Sequence, residues 1–129
     1  MTSSARATFT LLALLAVSAA QAQGPALDRV MHKKLEVSQQ ILEAVVTSRW
    51  DALEARSREL ESLTNDPGWT VLKAPEYARH SDAFRAAVRT LHDAAAKRDL
   101  DATPKAYVAM TLSCVECHRY LARNRIARE

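Results

Sequence analysis

Two glycines in 129 residues set the first limit on what this chain can fold into. Sandwiches and barrels turn at glycine many times over, and this chain cannot supply those turns. The same scarcity leaves no room for a glycine-rich phosphate loop, and neither a Rossmann fingerprint nor a P-loop is present. Apolar residues make up 48% and charged residues 26%, an ordinary balance for a folded domain, and no repeat is visible. Collagen-like, coiled-coil-only and disordered classes are therefore excluded. The length suits one hydrophobic core. What remains is a small all-helical protein.

The first segment reads as an address. Arg6 precedes an apolar stretch from Phe9 to Val17, followed by Ser18-Ala19-Ala20-Gln21-Ala22. A positive start, a short apolar run and Ala20-x-Ala22 describe a secretory signal peptide over residues 1–22, cleaved after Ala22. A membrane span would need about 20 apolar residues, more than this run provides. The domain then occupies residues 23–129. Losing Arg6 takes the formal charge from +3 to +2. That balance is too mild to argue for nucleic acid or stable membrane association. The basic cluster Arg119, Arg123, Arg125 and Arg128 suits a solvated helix C-terminus.

Prolines punctuate the rest. After Pro25, the residues Leu27, Val30, Met31, Leu35, Ser38, Ile41, Leu42 and Val45 keep a three-and-four spacing that predicts a first helix over about 25–46. Ser48 and Asp51 form a capping-box-like pair opening a second helix, with Trp50, Leu53, Leu60 and Leu63 on one face. Asn65-Asp66-Pro67-Gly68 stops it, with Gly68 expected at positive φ. Trp69, Val71 and Leu72 lie in a loop expected to fold back on the core. Pro75 opens a third helix, with Tyr77, Phe84, Val88, Leu91 and Ala95 along its stripe. Thr103 is the expected N-cap of a fourth, with Pro104 at its first position. Tyr107, Met110, Thr111, Cys114, Cys117, His118 and Leu121 then share one side. The expected fold is an antiparallel four-helix bundle.

Both cysteines lie in Cys114-Val115-Glu116-Cys117-His118, the C-x-x-C-H attachment signal for a c-type haem. Two thiols three residues apart on a helix reach the two vinyl groups of one porphyrin edge. The next residue places an imidazole beneath the iron. Three alternatives compete. A disulfide between Cys114 and Cys117 would leave His118 unexplained, and a thioredoxin-like pair needs a strand-to-helix junction. A zinc site would need a further ligand, for which His80 or His92 would have to be recruited. Both histidines fall off the apolar stripe of the third helix and are expected at the surface. Export favours covalent haem c, since haem is joined to such cysteines outside the cytoplasm.

Only eleven residues follow His118, and none is Met, so a sixth iron ligand must come from upstream. Met110 lies two turns before His118 on the same helix, on the proximal side. Elimination leaves Met31 on the first helix, with Leu35 beside an open iron or His32 as alternatives. Arg29, Lys33 and Lys34 suit either the haem propionates or a solvated face. Trp50, Trp69, Tyr77 and Phe84 suit core or haem-wall positions.

This combination of exported chain, four helices and Cys114–His118 in the last helix resembles the cytochrome c prime family. The resemblance covers nearly the whole chain after residue 22, and its specific part is the pentad and its placement. It implies a haem lying between the first and last helices. Cys114 and Cys117 are then the thioether cysteines and His118 the proximal ligand. The family's distal position, on the first helix, is apolar in five-coordinate members and methionine in low-spin relatives; Met31 fits the second kind. The chain departs from the family after the pentad, where Leu121 and Ala122 replace an aromatic and a basic residue. Tyr120 and Arg123 stand one position away. The family's arginine before the distal position would fall at Leu27, with Arg29 nearby.

The expected function is that of a periplasmic monohaem cytochrome, not an enzyme. It would pass single electrons to redox partner proteins that dock transiently. The alternative is a five-coordinate protein binding nitric oxide or carbon monoxide beneath an apolar distal face. A peroxidase-like enzyme would need a distal base and an arginine, for which only His32 and Arg29 are near. A homodimer through the first two helices, common in the family, is left open by the charges spread along them.

Overall fold

The computed structural model describes residues 23–124. They form four helices: α1 (Gln23–Val46), α2 (Trp50–Leu63), α3 (Pro75–Ala96) and α4 (Ala102–Arg123). No strand occurs among the described residues. The expected signal peptide lies outside them. No described helix is long and apolar enough to cross a membrane.

Helices adjacent in sequence pack against each other, as short connections require. The core is a continuous cluster of Val30, Val37, Ile41, Leu53, Leu60, Trp69, Phe84, Val88, Leu91 and Met110, none above 3% exposed. Each such side chain stabilises the bundle by about 1.5–3 kcal/mol through apolar burial. Tyr77, Phe84, Val88, Leu91 and Ala95 of α3 are all buried, as their spacing predicts. On α1 the inward stripe is narrower than the sequence suggests. Val30, Lys34, Val37, Ile41 and Ala44 point in, whereas Leu35 and Leu42 stand 58% and 45% exposed.

Three helix ends differ from expectation. Ser48 does not cap α2: it adopts φ 53° and terminates α1 instead. Its N–H donates to the Val45 carbonyl at 3.3 Å, and that of Arg49 to Ala44 at 2.9 Å. This is a Schellman closure with serine in glycine's usual place. Arg98 repeats the device after α3, with φ 53°. Its N–H reaches the Ala95 carbonyl at 2.9 Å, and the Asp99 N–H reaches Ala94 at 3.1 Å. Nor does Thr103 cap α4, which begins one residue earlier. Thr103 is buried in the first turn, and Asp99 Oδ1 instead accepts from the Asp101 and Ala102 N–H groups at 3.0 and 2.8 Å.

Gly68 breaks the chain after α2, but not through a positive φ. A Cβ there would lie 2.6 Å from the Ala26 carbonyl oxygen and 2.9 Å from Val30 Cγ2. The residue is glycine because α1 passes against its backbone. Trp69 folds back onto the core as expected. Its indole N–H donates to Ser81 Oγ at 3.1 Å, and its carbonyl accepts from the Tyr77 hydroxyl at 2.7 Å.

Candidate functional site

The second half of α4 presents the pentad. Cys114 and Cys117 are half-buried free thiols, so the disulfide alternative is not formed. Cys114 packs against the core. Cys114 and His118 are four residues apart, about 6 Å along the axis and on one face. An open groove of about 510 Å³ runs along this face, lined by Cys114, Val115, His118, Arg119 and Ala122.

All five lining residues belong to α4, whose sequence-distant neighbour in the bundle is α1. These two helices form the sparsest seam of the bundle. The Tyr107 hydroxyl crosses it, donating to the Ser38 carbonyl at 3.3 Å. The helices run antiparallel, so seven residues along each from this bond, about 10 Å, bring Met31 level with Cys114. Met31 is half-buried against the core, one turn from the level of His118. Met110 is 1% exposed in the core and takes no part in the groove. His32 is exposed, with Nδ1 3.0 Å from the Asp28 carbonyl oxygen of its own helix.

One side chain the sequence left between a propionate partner and a solvated face proves central. Lys34 is 7% exposed. Its Nζ lies 3.9 Å from the centroid of Phe84 and 4.9 Å from that of Trp69. These rings stack 5.4 Å apart and hold the ammonium by cation–π attraction. Its place in the spacing of Val30, Val37 and Ile41 marks it as inward. The apolar run along the α1–α4 seam obscures that signal in the sequence.

The cluster shapes the chemistry of the pentad. Burial pushes the Cys117 thiol above its ordinary pKa, and the nearby Lys34 charge partly offsets this. Desolvation of its ring and then the Lys34 charge hold His118 below its ordinary pKa. The neutral imidazole is thereby favoured. Burial raises Tyr77, beside Cys117, to about 12.

Two histidines differ from expectation. His80 is 8% exposed, its ring 5.3 Å from that of Tyr120, because α3 and α4 pack closely there. His92 is half-buried and accepts from Arg58 Nε at 3.2 Å. Among the described residues no three His, Cys, Asp or Glu side chains are grouped to hold one metal ion. The zinc alternative therefore has no assembled ligand set.

The donor set suits a flat, largely apolar group bearing anionic edges. It offers two free thiols on one helix edge, a neutral imidazole one turn on and a half-buried thioether across a loose seam. On α1, the Lys34 ammonium lies over the Phe84 and Trp69 rings. The chain matches no protein-family model, no curated protein and no solved structure.

Proposed function

We propose that this chain is a periplasmic monohaem c-type cytochrome, of the cytochrome c prime kind, that carries single electrons. The observation that carries the reading is the placement of Cys114 and His118 along one open recess of α4, with Cys117 half-buried on the same helix, which meets α1 at the loosest seam. When bound, the haem iron supplies a one-electron couple. Cys114 and Cys117 tether the porphyrin edge, and His118 offers a neutral ring nitrogen from the proximal side. Met31 offers its sulfur from α1, and thioether ligation favours a higher potential than a second nitrogen would. Leu35 stands one turn from Met31 on the same face of α1 and is the residue that would cover the iron in the alternative, open distal arrangement. Redox partners would dock transiently where the haem edge meets solvent beside the α4 recess.

Absorption spectra of the protein matured in a periplasm, ferric and ferrous, with and without carbon monoxide, test this. Low-spin spectra in both states are expected, with no carbon monoxide binding. A methionine–iron charge-transfer band should be present in the wild type and absent from Met31→Ala. High-spin spectra with ready carbon monoxide binding would replace electron transfer by gas binding. Absence of covalent haem would overturn the assignment altogether.

A further inference from the structure

Every exposed large hydrophobic side chain among the described residues lies on α1, on α4 or in the turn that enters α4, and none lies on α2 or α3. Leu35, Leu42, Val46, Leu100, Val108 and Leu112 are 45–75% exposed, and the seventh, Val115, lines the α4 recess. The six are not scattered. Leu35 and Leu42 stand three before and four after Ser38, so the three share one face of α1. The Ser38 carbonyl is where the Tyr107 hydroxyl of α4 bonds. On α4, Thr111 lies one turn from Tyr107, and Val108 is three residues before it with Leu112 a turn further on. The two stripes therefore border the same sparse seam. Val46 ends α1 and Leu100 precedes α4, so in an antiparallel pair both fall at the end of the seam remote from the recess.

A contiguous apolar surface of this kind marks a contact, and the charges beside it say with what. Glu36 and Glu43, one residue beyond Leu35 and Leu42, edge the α1 stripe on the flank away from α4. Lys105, three residues before Val108, edges the α4 stripe on the flank away from α1. Arg29 and Lys33 turn the other way, to Asp66 and Glu59. Glu116, a turn past Leu112, falls toward the recess. Counted from the Ser38–Tyr107 bond in antiparallel helices, Lys105 comes between Glu36 and Glu43 in height. The exposed pairs of Glu36 with Lys33 and of Glu43 with Arg49 are weak, so both carboxylates can take a further partner. We infer that two copies of this chain associate through this face, the α1 stripe of each over the α4 stripe of the other. The face is its own complement: a two-fold axis along the bundle brings the glutamate edge of each copy onto Lys105 of the other. Laying α1 over α1 would set glutamate against glutamate. The stripe runs about 20 Å along the helices, which suits a reversible pair rather than an obligate one. It stands apart from the residues of the haem reading and does not rest on that reading: Leu42 is about 16 Å along α1 from Met31, and Val108 about 15 Å along α4 from His118.

The test is sedimentation velocity of the protein purified from an exporting host, over a wide range of concentration. Wild type is expected to pass reversibly from monomer to dimer. Leu42→Glu and Val108→Glu change side chains that are exposed in the single copy, so circular dichroism should show unchanged helices. Each should weaken association about tenfold or more, because the new carboxylate would be buried against an apolar stripe. Glu43→Lys and Lys105→Glu should each weaken it too, and the double variant should recover most of the loss, since the exchanged charges meet again between copies. A wild type that stays monomeric at every concentration would overturn the inference and leave another protein as the occupant of the face. A dimer that none of these changes weakens would overturn it by placing the contact elsewhere. Failure of the charge exchange to recover what the single changes lose would refute the pairing of α1 with α4. Covalent haem is read separately from the visible spectrum, and its absence would count against the haem reading alone.

Discussion

At the scale of single residues, Gly68 separates what the sequence states from what only packing can. Its position after Asp66-Pro67 marks a break, and the chain does break there. The cause is the backbone of α1, 2.6 Å from where a Cβ would sit. Gly68→Ala must push α1 away from the α2–α3 loop and is expected to cost about 1–3 kcal/mol, as overpacking does. Gly24→Ala, where no atom lies within 4 Å, should be close to neutral. Denaturant unfolding of the two variants beside wild type checks the difference; equal midpoints would refute the contact. The placing of the pentad on the last helix was legible because it follows from local spacing. Lys34 and His80 were not, because their burial is decided by side chains far away in the chain: Phe84 and Trp69 for one, Tyr120 for the other.

At the scale of elements, helix existence was legible and helix ends were not. Amphipathic spacing runs over many residues and survives local ambiguity, whereas an end depends on one or two backbone conformations. Ser48 reads as a cap for the helix that follows, yet it closes the helix that precedes. With two glycines in the chain, both Schellman closures fall to residues with a Cβ, Ser48 and Arg98, each at φ 53°. A left-handed residue with a side chain is strained by roughly 1–2 kcal/mol. Ser48→Gly and Arg98→Gly should therefore each stabilise the fold by about 0.5–1 kcal/mol, after the entropy that glycine adds to the unfolded chain. The exposed pair of Arg98 with Asp51, 3.9 Å apart, is too weak to reverse the sign. Thermal melts of the single and double variants decide this. The sites lie in different turns, so the two gains should add. A lower melting temperature in either variant would mean that the turn is not held at positive φ.

At the scale of the molecule, the bundle has three well-packed seams and one sparse one between α1 and α4, and the thiols lie on α4. The Tyr107 hydroxyl ties α4 to the Ser38 carbonyl of α1, and further along α4 Cys114 and His118 line an open recess. A group tethered to α4 and ligated from α1 would close that seam, and removing it should loosen these two helices before the others. Cys114→Ser with Cys117→Ser removes both tethers while keeping side-chain size. Made in the same exporting host as wild type, this variant should lack covalent haem yet remain helical, because α2 and α3 keep the core of Leu53, Leu60, Phe84 and Leu91. Its melting temperature should fall by on the order of 10 °C, the equivalent of a few kcal/mol in a domain of this size. Amide exchange should quicken in residues 27–38 and 107–118, and least in α2 and α3. The pattern matters more than the size of the drop. A uniform loss of protection would place the stabilisation throughout the core, and an unchanged melt with unchanged exchange would show that nothing bound through these cysteines bridges α1 and α4.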